Sequence, residues 1–289
     1  YKYIKRWKNV PLARHLTRKF GVPVYLENCV RSMALAELWF GQGLGLGGEW
    51  GGAVLLATEN APPGKRAWFG MFPQLGAPLG FVLSGGIFLW LSDSLTNEQF
   101  FSFGWRIPFL ASFLLVFVGL YVRLKITETP AFLESMGKNK RVKLPILQVF
   151  RAHNRTLVLG TLIALATFVL FYLMTVFTLS WATTVFGYSR REFLLIQLFA
   201  VLFFGLTIPA SALLADRYGR RIILISASAA IALFGLLMAP MFGSGSMLQI
   251  ILFLSLGMGL MGMTYGPLGT MLSELFPTEV RYTGSSLTF

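Results

Sequence analysis

Long stretches of this chain carry no charge at all. Ala67 to Ser92 is a run of 26 residues without Asp, Glu, Lys or Arg; Ile107 to Val122 runs for 16, Thr156 to Ser189 for 34, Phe193 to Ala215 for 23 and Ile222 to Ser273 for 52. A helix needs about 20 apolar residues to cross the hydrocarbon core of a bilayer. The 52-residue run is too long for one helix and contains Gly243-Ser244-Gly245-Ser246, a turn signal, so it reads as two spans. The 16-residue run is short, but Arg123 and Lys125 beside it can snorkel to the interface. A further stretch, Met33 to Thr58, holds Glu37 and Glu49 and is the weakest. The expected spans are 33–58, 67–91, 106–124, 157–181, 193–214, 222–242 and 248–272. Six or seven such runs in succession are not the buried helices of a soluble core. A β-barrel is excluded because its strands alternate over about 10 residues, whereas these runs are continuous.

Composition closes the other routes. Charged residues are 13% of the 289, against about 25% in soluble domains, and hydrophobic residues are 55%. That excludes disorder and an ordinary soluble enzyme. One cysteine, Cys29, excludes an internal disulfide framework, and two histidines leave little for a metal site. No metal, no cofactor and no catalytic residue is expected.

The loops carry the orientation. Arg123 to Arg155 holds eight bases and only Glu128 and Glu134 as acids, so the positive-inside rule places it in the cytoplasm. Alternation puts Lys65-Arg66, the Asp216 to Arg221 loop and the Glu274 to Gly284 loop on the same side. The 92–105 loop, with Asp93 and Glu98, and the uncharged 243–246 turn fall outside; Arg190 and Arg191 are a mild exception there. The first 32 residues conflict with this pattern. They carry eight Lys and Arg and one acid, Glu27, yet alternation places them outside. Residues 1–21 lack an apolar core of 7–15 residues, so no signal peptide is expected there.

Several motifs sit at the span boundaries. Gly41-Gln-Gly-Leu-Gly-Leu-Gly-Gly-Glu-Trp-Gly-Gly52 pairs glycines at i,i+4, a spacing that lets helix backbones approach closely. Glu49 within it is a carboxylate inside a span, a functional candidate for proton or substrate. Asp216-Arg-Tyr-Gly-Arg-Arg221 is a tight inter-span turn in which Gly219 supplies backbone freedom, and Asp216 can pair with an Arg or cap the following helix. Pro73, Gly76, Pro78 and Gly80 are expected to interrupt the second span, and Pro267 the last. Gln74, Thr264 and Tyr265 lie beside those breaks, where transporters often bind substrate. Tyr172, Thr175 and Gln197 are weaker candidates. Arg106 reads as an interface anchor. Residues 144–156 resemble an amphipathic helix on the membrane surface, with His153 solvated.

These motifs, together with Glu59-Asn-Ala-Pro-Pro-Gly-Lys-Arg66, Gly104-Trp-Arg-Ile-Pro-Phe109, Glu128-Thr-Pro-Ala-Phe132 and Pro277-Thr-Glu-Val-Arg-Tyr-Thr-Gly284, resemble the metabolite:proton symporters of the major facilitator superfamily over residues 41–289. The likeness is greatest to bacterial inner-membrane metabolite transport proteins. The resemblance implies an all-α membrane protein and an incomplete major facilitator fold. It has about seven transmembrane helices, family spans four to ten and the start of eleven. It implies three helices of the N-terminal half over 33–124, a basic cytoplasmic loop with an amphipathic helix over 125–156, and four helices of the C-terminal half over 157–289. Glu49, Gln74, Thr264 and Tyr265 become transport-pathway candidates. Asp216, Arg217, Gly219, Arg220 and Arg221 become a cytoplasmic gating motif, and Glu59, Arg66, Glu279 and Arg281 cytoplasmic loop anchors.

A second resemblance covers residues 9–40. Phe20-Gly-Val-Pro-Val-Tyr-Leu-Glu-Asn-Cys-Val-Arg-Ser-Met-Ala-Leu-Ala-Glu-Leu-Trp-Phe-Gly41 is similar to a fragment of the ROK family of sugar kinases and regulators. That family has Asp, its catalytic base, where Cys29 stands, and the phosphate-binding glycines are absent, so no kinase activity is expected. The two likenesses meet at Trp39-Phe-Gly-Gln-Gly43. Symporters carry an Arg tied to proton coupling where Trp39 stands. The join reads as a fusion of two gene fragments or as a merged gene model.

The expected function is proton-coupled symport of a small anionic or zwitterionic metabolite by alternating access in the bacterial inner membrane. Because spans are missing, little or no transport is expected of this chain. The expected partners are the lipid bilayer, a small metabolite and the proton, not nucleic acid. The alternative is a non-transporting remnant that at most interacts with a full-length relative.

Overall fold

A computed structural model of the protein describes residues 42–125 and 145–289, with the backbone alone for 42–49, 97, 115, 116, 120 and 122–125. The chain divides into two units, 1–46 and 47–289. The basic tail, the sugar-kinase-like stretch, Cys29 and Trp39 lie outside the described residues, as do residues 126–144 of the basic loop.

Every regular element among the described residues is helical. Helix α1 is Gln42–Glu59, α2 Arg66–Ser94, α3 the short Asn97–Ser102, and α4 Ile107–Lys125. Helix α5 is Pro145–Ala152. Helix α6, Asn154–Tyr172, runs through a π-helical turn at Leu173–Phe177 into α7, Thr178–Thr184. Helices α8, Arg190–Tyr218, and α9, Arg220–Gly235, follow, then a second π-helical turn at Met238–Phe242. Helix α10 is Met247–Glu274 and α11 Arg281–Thr288. Six of the seven expected spans fall on helix, as does the described part, 42–58, of the first. Among the described residues, four segments are long and apolar enough to cross a membrane: 66–94, the bent α6–α7 segment 154–184, 190–218 and 247–274.

Two expectations about breaks are corrected. Helix α2 passes through Pro73 and Pro78 without ending, and α10 passes through Pro267. A proline removes one backbone donor, but neighbouring helices and local adjustment let a membrane helix absorb that loss. One of the two π-helical turns, 173–177, falls where the sequence has neither Gly nor Pro; the other, 238–242, contains Pro240. At the first, the amide Nε2 of Gln197 donates to the carbonyls of Met174 (3.1 Å) and Thr175 (2.6 Å), so the widened turn keeps its acceptors paired.

Helix α10 is the centre of the unit: half of its apolar window is buried, against 11% for α2. Its most extensive neighbour is α8. In lipid, apolar surface supplies no drive for helices to associate, so close backbone approach and interhelical hydrogen bonds do the work. Gly262 and Gly266 face α8 so tightly that a Cβ on Gly266 would lie 2.7 Å from the Ile208 carbonyl and against the Ser211 hydroxyl. That hydroxyl donates across to the Gly262 carbonyl at 3.1 Å. Of the glycine-rich motif in α1, Gly51 and Gly52 are described; they meet Ser286 and Tyr282 of α11. Leu79, Leu83 and Trp90 of α2, and Phe109, Leu110, Phe113 and Leu114 of α4, point outward.

Helix α5 has two apolar faces. Val149 is buried with Leu157, Phe276 and Val280, while Ile146, Leu147 and Phe150 are exposed. His153, expected to be solvated, is half-buried with its ring edge toward Phe276 at 6.3 Å.

Candidate functional site

Two polar groups join α2 to helices far along the chain. The first lies inside the spans. Gln74, on α2 between its two prolines, is fully buried. Its Oε1 accepts from the indole N–H of Trp50 on α1 at 2.7 Å, and its Nε2 donates to the Tyr265 carbonyl of α10 at 3.1 Å. One amide thus ties three helices. Thr264, the next residue on α10, donates to the Met261 carbonyl at 2.9 Å and accepts from Thr167 of α6 at 3.2 Å. Tyr265 is buried beside the Phe204 ring. The structure therefore brings Gln74, Thr264 and Tyr265 to one level of the bundle and adds Trp50 and Thr167. Glu49 lies on α1 one residue before Trp50; its side chain is outside the described residues. Gln197 and Thr175 form a separate group at the π-helical turn, and Tyr172 is 61% exposed, away from both.

The second group lies at the ends of α2, α8 and α10. Asp216, near the end of α8, accepts the backbone N–H groups of Ala67 and Trp68, each at 2.9 Å. These are orphan donors of the first turn of α2, whose own cap residue Lys65 makes no side-chain bond to it. A carboxylate at a helix N-terminus gains both from charged hydrogen bonds and from the helix dipole. This corrects one option for Asp216: it caps α2 rather than the following helix α9, whose cap position is Gly219. Gly219 turns the chain between α8 and α9 with φ +93°, a conformation that disfavours a side chain.

Charges surround that contact. Arg220 lies 3.9 Å from Asp216 and pairs closely with Glu274 of α10; Arg66 reaches the same Glu274 at 3.5 Å. Arg281 pairs with Glu59 at 3.1 Å and donates to the Phe276 carbonyl. Arg217 is exposed and lies over the Tyr218 ring, and Arg221 is exposed. Glu279 is half-buried nearby in sequence. At the opposite end of α2, Asp93 pairs with Arg191 of α8 at 2.8 Å. Arg106 sits over Trp105 and bonds the Ser102 carbonyl. Sequence reasoning missed Trp50 as a donor, Thr167, and the Asp93–Arg191 pair. Each needs a partner from a distant helix, and no local spacing reveals it.

A model of the family described as Major Facilitator Superfamily matches residues 30–289. The chain belongs to that superfamily. It is 51% identical over 262 residues to the inner membrane metabolite transport protein YhjE of Escherichia coli (strain K12), a match covering 89% of this chain and 60% of that protein. It is 38% identical over 187 residues to the shikimate transporter of the same strain, covering 64% and 43%. It is 30% identical over 259 residues to the proline/betaine transporter of Salmonella typhimurium, covering 86% and 51%. The chain thus spans 60% or less of the length of these relatives. No solved structure matches it. The superfamily match begins at residue 30, so residues 30–40, read above as similar to a sugar kinase, fall within it. As a superfamily member with four long apolar helices, the chain is a multi-pass inner-membrane protein of a transport family, not an enzyme.

Proposed function

We propose that this chain is the central part of a secondary transporter that moves a small metabolite together with a proton by alternating access. Helices α1, α2 and α4 belong to one half and α6 to α10 to the other, joined by the basic loop. The observation that carries the reading is the bridge made by Gln74, fully buried between Trp50 and the Tyr265 carbonyl. A buried amide between two halves is a neutral hydrogen-bonding group that a solute can replace, and rocking of the halves can open it. Gln74, Thr264, Thr167 and Trp50 offer uncharged donors and acceptors that suit a small carboxylate or zwitterion. Relatives named for shikimate and for proline and betaine support that class. Glu49, a carboxylate within α1, is assigned the proton. Arg217, Gly219, Arg220, Arg221 and Asp216, with the pairs Glu59–Arg281 and Arg66–Glu274 and the neighbouring Glu279, form the cytoplasmic gate. Residues 9–40 are read as a sugar-kinase-like fragment without catalysis.

The test places residues 47–289 in the frame of the 51% identical E. coli relative and reads internal pH in vesicles as shikimate, proline and betaine are added, with the parent assayed alongside. A substrate that acidifies the interior of the parent vesicles is expected to do so in the chimera. Glu49→Gln is expected to abolish the proton signal, and Gln74→Ala to cut uptake on the order of tenfold, the loss of one buried hydrogen-bonding group. Expressed alone, the 289-residue chain is expected to give little or no uptake, because three helices of one half and four of the other leave the pathway without walls. A Glu49→Gln chimera with the full proton signal would remove Glu49 from the reading. A folded chimera without uptake of a substrate the parent moves would defeat it.

A further inference from the structure

Where α2 begins and α8 ends, an open cleft of about 350 Å³ is lined by Gly64, Lys65, Trp68, Leu213, Asp216 and Arg217. Its bases are unspent. Lys65 and Arg217 are exposed, and among the described residues neither has a carboxylate within ion-pair distance. Asp216, the acid in the cleft, already accepts both α2 amides and faces Arg220. The lining holds two bases, Lys65 and Arg217, against one carboxylate, Asp216, and Arg220 beside Asp216 adds a third base. The cleft therefore presents net positive charge.

The rest of its lining is apolar and continues into the span. Trp68 contacts Phe72 one turn deeper, ring edge to face at 6.2 Å. Phe72 is 53% exposed and Leu213 55% exposed. Tryptophan at this depth is a membrane-interface residue. A basic rim at the end of two spans, with half-buried Trp68 and exposed Phe72 and Leu213 below it, has the polarity of one lipid molecule: phosphate at the water boundary, chains along the helices.

We propose that this cleft binds the phosphate of an anionic phospholipid, held by Lys65 and Arg217, with the first part of its chains on Trp68, Phe72 and Leu213. The shared chemistry is a phosphate monoanion, and the assignment is to the lipid rather than to a soluble phosphate.

The test uses the full chain in phosphatidylcholine vesicles that carry equal mole fractions of brominated phosphatidylglycerol or brominated phosphatidylcholine. Quenching of Trp68 is read as the difference between the wild type and Trp68→Phe, since the chain has 7 Trp. Brominated phosphatidylglycerol is expected to occupy the cleft with a preference on the order of tenfold, and Lys65→Gln/Arg217→Gln to erase it. The charge-preserving pair Lys65→Arg/Arg217→Lys keeps the preference and controls for misfolding. Millimolar inorganic phosphate leaves it in place. Equal quenching by the two lipids overturns the proposal, as does a preference that survives in the neutral double variant. Loss of the preference on adding inorganic phosphate makes the cleft a soluble-phosphate site and overturns the lipid assignment.

Discussion

Asp216 accepts two backbone amides from α2, those of Ala67 and Trp68, 149 and 148 residues earlier in the chain. Its residue type and its place at a span boundary are visible in the sequence; its partners are not. An acid followed closely by Arg suggests a local pair, and the pair with Arg220 is present at 3.9 Å, but the shorter bonds go to α2. Hydrogen bonds to a charged group contribute about 1.5–3 kcal/mol each. Asp216→Asn keeps one acceptor and turns an N–H₂ toward the other amide. It is expected to lower stability by about 1–3 kcal/mol, which for a chain of this size is several degrees in a detergent melt. An unchanged melting temperature would mean that the cap contributes nothing. The exposed Asp93–Arg191 pair at the other end sits in water and contributes about 0–1 kcal/mol at most, despite its 2.8 Å separation.

At the scale of elements, the helices were legible because their runs lack charge. Where they bend was not. Pro73, Pro78 and Pro267 are the strongest local breakers, yet the hydrogen bonds on either side of each carry the helix through. The turn at 173–177 depends on Gln197 from the neighbouring helix, a tertiary partner with no signature in its own segment. Which face of each helix packs was equally hidden, because α2, α8 and α10 are apolar on every side. What distinguishes the packed seam is small size rather than polarity, as at Gly262 and Gly266. Gly266→Val places atoms where the Ile208 carbonyl lies. It is expected to push α8 and α10 apart at a cost of about 1–3 kcal/mol, read as a lower melting temperature. The same change at Gly76, where an added Cβ meets nothing within 4 Å, is expected to be mild by comparison. Equal effects at the two positions would contradict the seam.

For the whole molecule, the account requires two ends of opposite character. One carries Asp216 on α2 with the Glu274 and Glu59 pairs. The other carries Asp93–Arg191 and the 243–246 turn. Superfamily membership and the apolar helices make the chain a membrane protein. The assignment of the first end to the cytoplasm rests on the bases of the loops, and alternating access needs the two ends on opposite sides. The lone thiol makes this measurable. With Cys29 changed to Ser, single cysteines at Gly64, Arg221, Glu98 and Ser244 are treated in intact cells with a membrane-impermeant maleimide, and again after permeabilisation. Cysteines at 98 and 244 are predicted to label in intact cells, and those at 64 and 221 only once the membrane is opened. Labelling of 64 or 221 in intact cells together with 98 and 244 would put both ends on one side and contradict the account.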